Sequence, residues 1–160
     1  MRVLCLGNEL LADDSFGLVV ADHLRLCTAP DVDVVSTPEA GFHLLDYVVN
    51  TRRLVVVDSV MTGKAPVGTI YVLHEGELNV ITGGSPHYVG LYESLVLGRT
   101  LNLRVAEEVV IVAVEIADCT TLGGEMDSAL HSAIPEVVRI VRTLLTEPGK
   151  SAPRGRGISL

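Results

Sequence analysis

The sequence predicts an α/β domain, with helices laid on both faces of a largely parallel sheet. Three observations lead there. Apolar runs of strand length alternate along the chain with segments whose apolar residues recur at helical spacing. The mean hydropathy is +0.43, yet no apolar run approaches the roughly 20 residues of a membrane-spanning helix, so the excess belongs to strands buried on both faces. Aromatic residues make up only 4% and Trp is absent, which leaves Val, Leu, Ile and Ala to fill the interior. A chain of 160 residues is expected to form one domain. That domain is placed at residues 1–146, and the Pro/Gly/basic tail 147–160 is expected to be disordered.

The elements follow in order. Residues 2–6 (R-V-L-C-L) form a short apolar run closed by Gly7-Asn8, the mark of a buried strand. From Phe16 the period changes: Phe16, Val19, Val20, Leu24 and Cys27 fall on one helical face, behind the capping candidates Asp13, Asp14 and Ser15. Residues 32–36 read as a second strand, and 40–50 as a second helix with Phe42, Leu45, Val48 and Val49 as its stripe. Residues 53–57 (R-L-V-V-V) are a central strand that ends at Asp58-Ser59. The next strand, 68–73, follows a Gly/Pro loop too short for a crossover helix, so it is expected to be antiparallel and at an edge. A loop over 79–87 then leads to a third helix, 88–97, and 109–114 is a fifth strand. The last helix, 125–145, contains Pro135, which is expected to kink it or restart it.

Residues 1–149 carry 9 basic against 20 acidic side chains. Such a body repels nucleic-acid backbones and anionic lipid, so neither nucleic acid nor membrane is expected as a partner, whereas a cation is compatible. The three cysteines show no C-x-x-C spacing and form no disulfide framework. The opening residues are too short for a signal peptide, and the expected location is cytoplasmic.

In an α/β sheet, ligands bind at the carboxyl ends of strands, where crossovers leave in opposite directions. With strand order 2-1-3 that crevice lies between the first and third strands. Three sets of ionisable side chains are expected at such ends: Asp13-Asp14 in G-N-E-L-L-A-D-D-S-F-G (7–17), Asp58 in V-V-V-D-S, and His87 in S-P-H. The first segment is neither a dinucleotide fingerprint nor a P-loop, since it lacks both the glycine spacing and a G-K-[ST]. Each group also has a plain reading: Asp13 or Asp14 as a helix cap, Asp58 as a strand-end turn residue, His87 as a surface histidine on a Pro-stiffened loop. Together, two carboxylates and an imidazole supply ligands to a borderline divalent ion and leave positions open for substrate. Cys5 reads as a small buried hydrophobe. Neither Asp58 nor His87 reads as core, so replacing them is expected to cost little stability.

The chain resembles the hydrogenase maturation proteases, endopeptidases that trim the C-terminus of the [NiFe] hydrogenase large subunit. The shared marks are G-N-E-L-L-A-D-D-S-F-G, A-G-F-H-L-L at 40–45, V-V-V-D-S at 55–59, S-P-H-Y-V-G-L at 85–91 and A-L-H-S-A-I-P-E-V-V-R-I-V at 129–141. The resemblance implies a three-layer α/β/α domain with a five-stranded mixed sheet, order 2-1-3-5-4 and strand 4 antiparallel. It implies Asp14, Asp58 and His87 as metal-contacting and catalytic residues. Gly83, Gly84 and Pro86 would shape the loop that carries His87, and Gly41 would line the peptide groove. Asp13 would cap the helix or support Asp14. One departure stands out: the family often opens G-x-G-N, and this chain has Cys5 where the first Gly would stand.

The activity implied is removal of the C-terminal extension from a hydrogenase large-subunit precursor by a monomeric, aspartic-type endopeptidase. Its nickel would arrive with the substrate as the recognition mark, and zinc or cadmium would substitute in vitro. Water would be activated by metal or by carboxylate. Two other readings stand beside it. A receiver-like phosphoacceptor domain also places acids after its first and third strands, but here the acidic pair follows the first strand across a loop, and the fifth strand leads to E-I-A-D-C instead of Lys-Pro. The other is a catalytically inactive nickel- or precursor-binding chaperone of the same fold.

Overall fold

The structure, a computed structural model, describes residues 1–80 and 86–146, with side chains at 78–80 and 86–88 outside the description. The tail 147–160, Gly83 and Gly84 lie outside the described residues.

Five strands, β1 (Arg2–Leu6), β2 (Asp33–Thr37), β3 (Arg53–Val60), β4 (Ile70–His74) and β5 (Glu108–Glu115), form one sheet in the order β2-β1-β3-β5-β4. β1 pairs parallel with β2 and β3, and β3 with β5, while β4 is antiparallel to β5 at the edge. The short loop between β3 and β4 requires that reversal, as the sequence indicated. The helices are α1 (Phe16–Cys27), α2 (Leu45–Val48), α3 (Pro86–Thr100) and α4 (Ser128–Thr146).

The interior divides into two apolar layers, and strand alternation assigns each residue to one of them. Val3, Cys5, Val55, Val57, Val110, Val112 and Val114 face α1 and α4, where Phe16, Val20, Leu24, Val137 and Val141 meet them. Leu4, Leu6, Leu54, Val56, Val60, Ile111 and Ala113 face α2 and α3, against Leu44, Val48, Leu91 and Leu95. All eight residues of β3 are buried, the pattern of a strand covered on both sides. Among the described residues no helix is long and apolar enough to cross a membrane.

Several expectations from sequence need correction. The second helix is only one turn, α2, preceded by a 3-10 turn at Gly41–Leu44, and Phe42 is exposed while Leu44 is buried. Gly41 adopts φ +62 and is crossed by α3 at Gly90, where an added Cβ would stand 2.4 Å from the Gly41 nitrogen. The positive φ at Gly41 is incompatible with a right-handed helix through that residue. α4 starts at Ser128, not 125, because Asp127 caps it: its Oδ1 accepts the Ala129 amide at 2.7 Å. It then runs through Pro135 as one helix. α3 begins at Pro86, two residues earlier than periodicity suggested, with the proline at the first helical position where its missing N–H costs nothing. At the far end of the sheet from the site, buried Arg53 pairs with Glu108 at 2.9 Å and donates to the Leu144 carbonyl, tying β3 to the last turn of α4.

Candidate functional site

The crevice between β1 and β3 originates in a difference of strand length. Pairing of β1 with β3 stops at Cys5↔Val57, while β3 continues beside β5 through Asp58↔Ala113, Ser59↔Val114 and Val60↔Glu115. Asp58 is therefore inside β3, not at its end, and the last three residues of the strand have β5 on one side and no β1 partner on the other. After Leu6 the chain turns away and returns as a 3-10 turn, Asp13–Ser15, that leads into α1.

Two glycines bring that turn onto the strand end. A Cβ on Gly7 would lie 2.3 Å from the Asp14 carbonyl oxygen, and one on Gly17 would lie 2.0 Å from the Leu6 carbonyl oxygen. The Asn8 amide donates to the Asp14 carbonyl at 3.2 Å. The spacing of Gly7 and Gly17, uninformative as a nucleotide motif, is thus explained by close backbone approach. It sets the position of Asp14.

Neither Asp13 nor Asp14 caps α1, which corrects the capping expectation. No side-chain cap bond is made there, and Ser15 Oγ donates to the Ala12 carbonyl at 2.6 Å. Asp13 instead accepts the Asp127 amide on Oδ1 at 3.0 Å, steadying the segment that caps α4. Asp14 accepts the Ser59 hydroxyl on Oδ1 at 2.5 Å. Asp58 Oδ1 accepts the Ser59 amide at 2.8 Å. Asp14 is 7% exposed, and Asp58 and Ser59 are fully buried. The expectation that Asp58 stands outside the core is corrected accordingly.

Asp58 follows Leu54 and Val56 on the face toward α2 and α3, and Ser59 follows Val55 and Val57 on the face toward α1. Both carboxylates thus lie within one hydrogen bond of the same serine. His87 is the second residue of α3, not part of a loop, and α3 covers the face to which Asp58 belongs. The side chains of Pro86 and His87 lie outside the described residues, as do Gly83 and Gly84 altogether. Among the described residues no three His, Cys, Asp or Glu side chains are grouped closely enough to hold a metal. Gly41 stands beside α3: its carbonyl accepts the Ser94 hydroxyl at 3.3 Å, and the space where its own Cβ would project is open.

Cys5 packs in the α1/α4 layer, fully buried, and burial pushes its thiol up to about 12, with nearby Arg25 opposing the shift. Its side chain is thus absorbed by the core, and β1 keeps its register with β2 through Leu6↔Thr37.

Two residues with a part in this region escaped sequence reasoning. Ser59 was visible only as the neighbour of Asp58, and strand alternation was the signal that its hydroxyl would face the other way. Glu115 ends β5 almost fully buried, where its carboxylate accepts the Thr62 amide and hydroxyl at 2.7 Å each, the Gly63 amide at 2.8 Å and the Tyr71 hydroxyl at 2.9 Å. It fastens the loop that leaves β3 just beyond Asp58. An acidic residue closing an otherwise apolar strand was its only trace in the sequence.

Beside the Asp13 turn lies a cavity of about 290 Å³, lined by Asp13, Asp118, Glu125 and Asp127 among others. Hydrogen bonds from Thr121 and Thr120 hold the Asp118 carboxyl well below the usual carboxylate range. At the same end of the sheet Leu10, Phe42, Met61, Val89 and Leu122 are exposed apolar side chains.

A family model described as hydrogenase maturation protease matches residues 20–144. The chain is 26% identical over 157 residues to the hydrogenase expression/formation protein HupD of Bradyrhizobium diazoefficiens, covering 95% of this chain and 81% of that one. Among solved structures it is similar to an endopeptidase from Escherichia coli determined in solution, with a TM-score of 0.78, 26% identity and coverage of 96% and 98%. The hydrogenase maturating endopeptidase HybD from E. coli shares the fold, with a TM-score of 0.77, 24% identity and coverage of 92% and 93%.

Proposed function

The chain belongs to the hydrogenase maturation protease family, and on that footing we propose that it removes the C-terminal extension of a [NiFe] hydrogenase large-subunit precursor once nickel has been inserted. The observation that carries this reading is the pair of buried carboxylates, Asp14 and Asp58, held on either side of Ser59 where β3 outruns β1. Carboxylate oxygens suit a divalent ion, and the imidazole of His87 would add a nitrogen donor.

In this reading nickel is part of the substrate. Asp14, Asp58 and His87 complete its coordination, so a precursor that lacks the ion lacks the group by which it docks. The scissile peptide is thereby placed in the crevice, with Gly41 on its wall and Gly83, Gly84 and Pro86 shaping the approach to His87. A water held at the site would lose its proton to a carboxylate as its oxygen attacks the carbonyl carbon, and the C–N bond would break as the amine leaves with that proton, the aspartic-type route; the substrate's ion would otherwise supply the acidity. Zinc or cadmium would occupy the same ligands in vitro. The exposed apolar side chains around this end of the sheet suit a protein substrate. The net charge of −8 disfavours nucleic acid and anionic membrane. A monomer working in the cytoplasm completes the proposal.

Incubation with a nickel-loaded precursor tests it. A shortened product that disappears in Asp58→Asn and His87→Ala is the expected result. Binding without cleavage would instead support a chaperone of this fold, and phosphorylation of Asp58 by acetyl phosphate would support a receiver. Full cleavage by both variants overturns the site assignment.

A further inference from the structure

We propose that Ser59 is a positioning residue that sets the Asp14 carboxylate for its encounter with the substrate's metal. The inference rests on the reading of Asp14 and Asp58 given above. Ser59 binds the two acids through different parts of itself, the main-chain amide to Asp58 and the hydroxyl to Asp14. The amide is fixed by its place in β3, whose pairing with β5 continues through Ser59↔Val114. The hydroxyl is fixed by burial, since Ser59 is fully inaccessible.

Among the described residues the Ser59 hydroxyl is the one hydrogen-bond donor to the Asp14 side chain. Asp14 itself sits on a 3-10 turn and not on a strand, so its backbone does not dictate where its oxygens point. A hydroxyl-to-carboxyl bond of 2.5 Å between buried groups is costly to break. By engaging Oδ1 it selects one rotamer and directs the remaining lone pairs of the carboxylate. Groups that orient a metal-binding carboxylate in this way commonly govern affinity and rate without touching the ion. Because only the hydroxyl acts on Asp14, truncation to alanine removes that arm while leaving the amide on Asp58 in place.

The test uses the full-length protein, with Cd²⁺ alone as a binding probe and the nickel-loaded precursor as substrate. Ser59→Ala is expected to remain folded by circular dichroism, to bind Cd²⁺ at least about tenfold more weakly, and to lose about 10–100-fold in kcat/KM. Ser59→Thr, which keeps the hydroxyl, is expected to stay within about threefold of wild type on both readouts. A merely structural role would lower the melting temperature without separating Ala from Thr in Cd²⁺ affinity. If Ser59→Ala does not fold, Ser59→Val takes its place, since it has the branched shape of the threonine side chain but no hydroxyl and no metal-binding atom. Wild-type Cd²⁺ affinity and cleavage in the hydroxyl-free variant overturns the inference, as does a folded Ser59→Thr that is equally impaired. Asp14→Ala and Asp58→Ala, measured alongside, separate the two levels. If both still bind and cleave normally, the site reading itself has failed; if both are lost and only Ser59→Ala is normal, the role of Ser59 alone has failed.

Discussion

Gly17, in the first turn of α1, lies so close to the end of β1 that a Cβ there would stand 2.0 Å from the Leu6 carbonyl oxygen. Alanine normally favours a helix interior over glycine by about 1 kcal/mol. Here the contact is with backbone, which cannot rotate aside, so steric cost dominates. Gly17→Ala is expected to lower unfolding stability by about 2 kcal/mol or more in urea titration. A stability equal to wild type would mean that α1 and β1 are not in this contact.

Asp58 distinguishes two kinds of loss. In Asp58→Asn the amide oxygen still accepts the buried Ser59 N–H, so stability is expected to stay within about 1 kcal/mol while precursor cleavage disappears. Asp58→Ala orphans that N–H and empties a fully buried position, with an expected further cost of about 1–3 kcal/mol. Equal stability of the two variants would remove the structural half of this argument.

Cys5 predicts a pH dependence. Its thiol is pushed up from 9.0 to about 12 in the folded chain, so the folded state holds a proton that the unfolded state releases earlier. The stabilisation is complete below pH 9 and is lost as pH rises from 9 to 12. Over that window wild type should lose up to about 1.4 kcal/mol per pH unit that Cys5→Ala does not. Denaturant titrations of both proteins at pH 7.5, 9.5 and 10.5 check the sign. A constant difference between them would contradict it.

Glu115 is expected to act on the loop behind the site. Glu115→Ala leaves the Thr62 and Gly63 amides without their acceptor. The expected loss is about 2–4 kcal/mol of stability, with faster hydrogen exchange at those two amides before any global change. Unchanged exchange there would show that the loop is held by something else.

Much of the fold was legible because its signals are local. The β3–β4 loop is too short for a crossover, which made the edge strand antiparallel, and the uninterrupted apolar run of residues 54–57 marked a strand covered on both faces. That Asp14 and Asp58 come together at one end of the sheet was legible from the ends of apolar runs. What was not legible depends on partners distant in the chain. Asp13 reads as a cap of α1 until Asp127 is seen to donate to it. The segment after Pro38 reads as a helix until Gly90 crosses Gly41. Periodicity stopped β3 at Val57 because Asp58 and Ser59 are polar, yet both continue the strand beside Ala113 and Val114.

The placement of Asp58 and Ser59 as consecutive strand residues carries a further consequence. One side chain belongs with the compartment under α3 and the other with that under α1, so the two neighbouring residues connect the candidate site to both halves of the interior. A void opened beneath either sheet face is therefore felt by a different carboxylate: through Ser59 by Asp14, or directly by Asp58. Buried substitutions are therefore expected to differ in which of the two acids they disturb.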